Sequence, residues 1–160
     1  MKPFAIFLVI LVLAAMGGVG YLYFTSNLNV VFVDCIADDP VLRQDVFDSL
    51  KSSIRNESFI GTRYRQDELG SPEEYLFYTW TVRLENHSFL PVNIAEIQVT
   101  PMEGDVLRVG DPSEHTVSPR SSSNLSVTLL TARSMHSVRE AIVSWYVWGL
   151  PFSTRITLSR

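Results

Sequence analysis

From Phe4 to Phe24 the chain carries no charged side chain, and only Met1, Lys2 and Pro3 precede this run. An α-helix rises about 1.5 Å per residue and the hydrocarbon core of a bilayer is about 30 Å thick, so the run is long enough to cross one. Tyr21, Tyr23 and Phe24 close it with rings suited to the headgroup layer. Lys2 and the α-amino group lie on the short side, and Asp34, Asp38 and Asp39 follow on the other. The positive-inside bias then places residues 1–3 in the cytoplasm, residues 4–24 across the membrane as a signal anchor, and a folded domain outside. Residues 25–29 read as a tether and residues 30–160 as the extracytoplasmic domain.

The same stretch has a second reading as a cleaved signal peptide. Phe4–Leu13 would be its apolar region and Ala15-Met16-Gly17 its small-x-small site. Apolar character continues past that site through Val19, Tyr21, Leu22, Tyr23 and Phe24, and a lone Lys is a minimal basic region, so the anchor is favoured. Both readings put the bulk of the chain outside the cytoplasm.

The remaining residues, about 135, suffice for one domain with a real core. A net charge of −4, mixed along the chain, leaves no basic stripe for a phosphate backbone, which argues against nucleic acid as a partner. Cys35 is the only cysteine, so an intramolecular disulfide is ruled out, and an exported domain of this kind suits bacterial anchoring. Cys35 has two readings: a small half-buried thiol beside Val31 and Val33, or a disulfide between two copies outside the membrane.

Beyond the tether, Val30–Ile36 is β-branched and apolar and reads as a strand. Asp39-Pro40 announces a helix over 39–55, with Asp39 as N-cap. Leu42, Val46, Phe47, Leu50 and Ile54 form its apolar stripe. From Ser58 the period changes to two. Strands are expected at Phe59–Arg65, Tyr75–Glu85, Val92–Thr100, Val106–Val109, Leu125–Leu130, Ile142–Trp148 and Phe152–Leu158. In Tyr75–Glu85 the residues Leu76, Tyr78, Trp80, Val82 and Leu84 share one face. In Val92–Thr100 the expected inner set is Ala95, Ile97 and Val99. Ser134–Ala141 is expected to form a short helix, about 134–141, with Met135 and Val138 inward and Arg139 and Glu140 outward. Some seven short alternating strands predict a mainly β chain folded as an antiparallel sandwich.

Three segments carry a family resemblance. Thr81-Val82-Arg83-Leu84-Glu85-Asn86 is followed shortly by Pro91-Val92-Asn93-Ile94. His115-Thr116-Val117-Ser118-Pro119 leads through serines into Leu125-Ser126-Val127-Thr128-Leu129. Val143 to Phe152 closes as a hairpin. Residues 80–160 thereby resemble the LEA14-like, or water-stress-and-hypersensitive-response, β-sandwich in a membrane-anchored bacterial form. The resemblance implies an immunoglobulin-like sandwich without enzymatic activity, and it transfers no functional residue.

No metal or catalytic constellation is legible. His87, His115 and His136 are far apart, and no His-x-x-x-His or Cys-x-x-Cys spacing occurs. Asp34, Asp38 and Asp39 lack the further oxygen ligands of a calcium loop, and helix capping with solvation explains them. No cofactor is implied. The expected role is therefore non-catalytic binding, assembly or stress protection at the membrane. Its partners would be the bilayer through residues 4–24 and a membrane-proximal protein or a second copy. The alternative is an enzyme or ligand receptor with an aromatic site among Tyr78, Trp80, Trp145 and Trp148.

Overall fold

A computed structural model describes residues 2–25, 28–110, 115–135 and 138–159. Helix α1 spans Lys2–Thr25, about 36 Å of axial rise. Its Pro3–Tyr21 stretch has a mean hydropathy of 2.4, and none of it is buried by the rest of the chain. The first strand begins at Leu28, not Val30, so the expected tether of 25–29 is shorter: only residues 26 and 27 separate helix from strand.

The remaining elements are β1 (Leu28–Asp38), α2 (Gln44–Arg55), β2 (Gly61–Arg63), β3 (Tyr75–Asn86), β4 (Val92–Val99), β5 (Asp105–Val109), β6 (His115–Val117), β7 (Ser122–Ala132), β8 (Arg139–Val147) and β9 (Leu150–Leu158). They form two antiparallel sheets, one in the order β1-β3-β7-β5-β2 and the other β6-β4-β8-β9. Between them Tyr78, Trp80, Val82, Leu84 and Leu129 meet Val92, Ile94, Ile97, Val143, Trp145 and Leu158 in one dry core. Burying each such side chain contributes roughly 1.5–3 kcal/mol, which accounts for a stable sandwich without disulfides.

Helix α2 adds a third layer over one end of the first sheet. Asp39 caps the preceding 3-10 turn (Pro40–Arg43), accepting from the Val41 N–H at 3.0 Å. Phe47 and Leu50 then pack on Phe77, Val106, Leu107 and Leu130, with Ile54 at the margin. The expected stripe is narrower than its sequence: Leu42 is 85% exposed and Val46 is also exposed. A 3-10 turn advances about three residues per turn instead of 3.6, so residues before Gln44 are rotated off the α2 face.

Three bulges reset the inward–outward parity of strands. In β1 the register jumps between Phe32 and Asp34, so Leu28, Val30 and Phe32 point inward before it and Cys35 and Ala37 after it. In β4 residue 95 is the extra one, which puts Val92 and Ile94 on the same face as Ile97 and Val99. The expected partner for these, Ala95, has a side chain outside the described residues. In β5 the jump around Val106 turns both Asp105 and Arg108 toward the second sheet.

The expected helix over 134–141 does not form. Ser134 and Met135 lie in a turn, residues 136 and 137 are outside the described set, and β8 already begins at Arg139. Two of the expected orientations are reversed, because Val138 is exposed while Arg139 is fully buried; Glu140 faces solvent as expected. Arg139 heads the inward series that continues with Ala141, Val143, Trp145 and Val147. A charged residue in a core position hid the strand's start.

Open sheet edges invite unwanted pairing, and each is blunted here. β1 carries its bulge, β2 and β6 are three residues long, and β9 has Pro151. The hairpin between β8 and β9 uses a two-residue turn, at Trp148 (φ 52°) and Gly149 (φ 77°), the left-handed pair of a type I′ turn.

The most exacting packing feature is Arg139 of β8 against Asp105 of β5. Nη2 donates to Oδ1 at 2.7 Å and Nε to Oδ2 at 3.2 Å, with both side chains inaccessible to solvent. Removing one partner strands the other charge, at about 3–5 kcal/mol. Arg139→Met is expected to lower the urea midpoint by a corresponding amount. The double variant with Asp105→Leu should recover much of that loss, as apolar replacement of both partners is frequently tolerated.

Candidate functional site

The chain enters the sandwich from α1 at Leu28, and register fixes what else lies at that end. Leu28 pairs with Asn86, Glu85 with Ser122, Val92 with Val117, and Val147 with Leu150. The entry end is therefore built from residues 87–91, the turn at 118–121 and the Trp148-Gly149 hairpin. The opposite end carries the 3-10 turns and the Arg139–Asp105 pair.

Asn86 ties the two sheets together at the entry end. Its Nδ2 lies 2.8 Å from Leu90 O, 3.1 Å from Val117 O and 3.1 Å from Ser118 O. Its Oδ1 accepts from the Ser88 N–H and hydroxyl. A buried amide satisfied on both sides fixes the loops around it. It is also 1% exposed, so the Asn86-His87-Ser88 triplet, an Asn-x-Ser glycosylation pattern, has its Asn sealed in the fold. Outside it, Glu85, His87, Arg120, Ser121 and Ser122 line an open cleft of about 500 Å³. His87 Nε2 stands 3.6 Å from Glu85 Oε2.

Three exposed aromatic rings occupy this end: Phe89 (68%), Tyr146 (44%) and Trp148 (74%). The Arg120 guanidinium lies over the Phe89 ring, 4.3 Å from its centre. Arg120 and Trp148 both hold left-handed backbone, φ 52° in each, where Gly or Asn is the ordinary choice. For an L residue with a Cβ that conformation costs roughly 1 kcal/mol. Nothing in the hydrogen bonding of either turn demands those side chains.

The residues singled out from the sequence fall elsewhere. Bulge parity puts Cys35 on the inner face with Phe32 and Ala37, half-buried, rather than on the outer face with Val31 and Val33. Asp34, Asp38 and Asp39 do not converge: Asp34 accepts from the Cys35 N–H, Asp38 faces Arg43 at 3.6 Å, and Asp39 caps its turn and pairs with Arg133 at 2.8 Å. Among the described residues no three His, Cys, Asp or Glu side chains stand together as a metal set. Tyr78, Trp80 and Trp145 are core residues, with Tyr78 stacked on Trp80, while Trp148 is alone at the surface. The indole N–H groups of Trp80 and Trp145 have no acceptor.

Arg108 is the second polar link that sequence reading passed over. Its Nη1 donates to Ile97 O at 2.7 Å and to Glu96 Oε1 at 3.2 Å, and its Nη2 donates to Thr62 Oγ1. Arg139 lies in a strand without a bulge, whereas Arg108 follows the one in β5. The only sequence signal was an Arg at a position where alternation calls for an apolar residue.

No protein-family model and no curated protein matches the sequence. Among solved structures, one similar chain is a FixG-related protein from Vibrio parahaemolyticus, with a TM-score of 0.39 and 8% identity over 85% of this chain and 96% of that one. At that level of similarity no role passes from one protein to the other.

Two measurements probe the polar links described above. Asn86→Ala leaves the carbonyls of Leu90, Val117 and Ser118 without their donor and is expected to destabilise by about 1–3 kcal/mol in urea unfolding. At the far end, the hydrogen bond from Arg133 holds the Asp39 carboxyl below its ordinary pKa. A carboxylate lowered in the folded state adds stability above its unfolded pKa and loses it as pH falls through the folded value. Arg133→Ala should therefore move the midpoint of acid unfolding, followed by circular dichroism, to higher pH.

Proposed function

We propose that this chain is a single-pass membrane protein with its N-terminus in the cytoplasm. Its sandwich lies outside and acts by non-catalytic binding or assembly at the membrane surface. The observation that carries this reading is α1: 24 residues, no acidic side chain, a Pro3–Tyr21 stretch that the sandwich does not bury, and β1 beginning within three residues of its end. A helix apolar all round needs an apolar environment, and this chain supplies none. Lipid does.

The binding role is supported by how the interior polar groups are used. Asn86, Ser88, Asp105, Arg108, Thr131 and Arg139 are buried, and each bonds a neighbouring strand or turn. Apart from the buried Nε of Arg108, which has no partner among the described residues, these groups hold loops and sheets in place. The finer reading, an immunoglobulin-like sandwich of the LEA14-like kind with a protective or assembly role, is consistent with two antiparallel sheets closed by the β8–β9 hairpin.

Alkaline extraction of membranes containing the full chain should leave it in the bilayer fraction. Release as a shortened soluble form would instead identify the N-terminal helix as a cleaved signal sequence. Crosslinking in intact membranes followed by affinity purification should return a defined membrane-proximal partner. A chain that crosslinks to nothing under conditions that capture known complexes would remove the assembly role.

A further inference from the structure

The entry end of the sandwich is unlike the rest of its surface. Among the described residues outside α1, the exposed aromatic rings are Phe89, Tyr146 and Trp148, and all three are here. Large exposed apolar side chains elsewhere on the sandwich are aliphatic or Met, such as Leu42 beyond the far end of β1 and Ile60 just ahead of the edge strand β2. Phe89 lies in the β3–β4 loop, which Asn86 fixes by bonding across from β3 to β6, and Trp148 lies in the β8–β9 hairpin at the same end.

Three further facts define what this end meets. Residues 26 and 27 alone join α1 to β1, so the last residue of the helix and Leu28 are at most about 11 Å apart. Whatever surrounds the distal end of α1 is therefore within reach of the entry-end loops. Arg120 stands over the Phe89 ring, with a planar fork that matches phosphate oxygens. Trp148 and Arg120 are each held in left-handed turns that a Gly or Asn would adopt without strain. Exposed aromatics with a cation beside them suit the headgroup layer, where a ring has one apolar side and one wet side.

We propose that the entry end of the sandwich rests in the headgroup layer of the bilayer that α1 crosses. Phe89 and Trp148 reach toward the acyl boundary and Arg120 pairs with lipid phosphate. This rests on the reading of α1 as a membrane span. It adds an orientation: the strands stand away from the membrane, with α2 and the Arg139–Asp105 end about 35 Å further out. The outward end, with Leu42 and the α2 surface, is then the part presented to soluble partners.

The test uses the full chain reconstituted in vesicles of phosphatidylcholine and phosphatidylglycerol, with the phosphatidylcholine either unmodified or brominated near the top of its acyl chains. α1 contains no Trp, so indole emission reports on the sandwich alone. Flotation after an alkaline wash comes first, and a chain that is washed off overturns the anchor and this proposal together. In the floating protein, brominated lipid should quench emission, and Trp148→Phe should lose that quenching because Trp80 and Trp145 are buried. Leu42→Trp on the Trp148→Phe background places an exposed indole at the far end and should remain unquenched. Equal quenching with and without Trp148, or quenching of the Leu42→Trp indole, would overturn the proposal while leaving the anchor intact. Purified components contain no other protein, so quenching at Trp148 cannot come from a partner that covers it.

Discussion

The sandwich depends on a charged pair that no solvent reaches. Without a disulfide to hold its sheets, the chain crosses between them with Arg139–Asp105 at one end, Arg108 to Glu96 and Ile97 O along the side, and Asn86 at the other end. Apolar contact between two sheets is non-directional and tolerates sliding. A bidentate guanidinium–carboxylate pair tolerates little, because a displacement of one residue would leave both charges buried and unpaired. The hydrophobic core supplies the driving force, and these polar links fix the alignment in which it is realised.

Three bulges make that alignment possible, and they also set the limits of what the sequence discloses. Alternation in β3 is legible residue by residue, since Tyr78, Trp80, Val82 and Leu84 face the core without interruption. In β1, β4 and β5 an inserted residue flips the parity, so a period of two read across the insertion assigns half of each strand to the wrong face. Cys35 moved to the inner face for this reason. Asp105 and Arg108, three apart, both point inward for the same reason. A bulge has no composition of its own, and only pairing with a neighbouring strand reveals it.

Arg139 was hidden differently. In Ser134–Arg139–Ala141 the sequence shows a cap-like Ser, an apolar residue at helical spacing and a charge suited to a wet face, which together imitate a short helix. The partner that makes Arg139 acceptable in a core is 34 residues earlier, and its own burial depends on a bulge. By contrast α1, α2, the Asp39 cap and the closing hairpin rest on local signals, and those were readable. Candidate surface residues such as Phe89 and Trp148 carried no such signal, because exposure and proximity to the chain's entry are properties of the folded register alone.

The register also turns a location into a geometry. A long flexible tether would let a sandwich sample many orientations above a membrane and leave its surface composition unconstrained by the lipid. Two residues allow no such averaging, so the end that carries Leu28 is held at the membrane's edge whenever α1 spans. A surface fixed there faces a layer of charged and zwitterionic groups over hydrocarbon, and an ordinary polar turn would pay nothing to sit beside it. This end instead holds a Trp and an Arg in backbone conformations that disfavour both, with a Phe beneath the Arg. The local strain is small, and among the described residues two of the three non-glycine positions with positive φ stand at this end, Glu57 after α2 being the third. That coincidence is more economically explained by contact with the interface than by the needs of either turn.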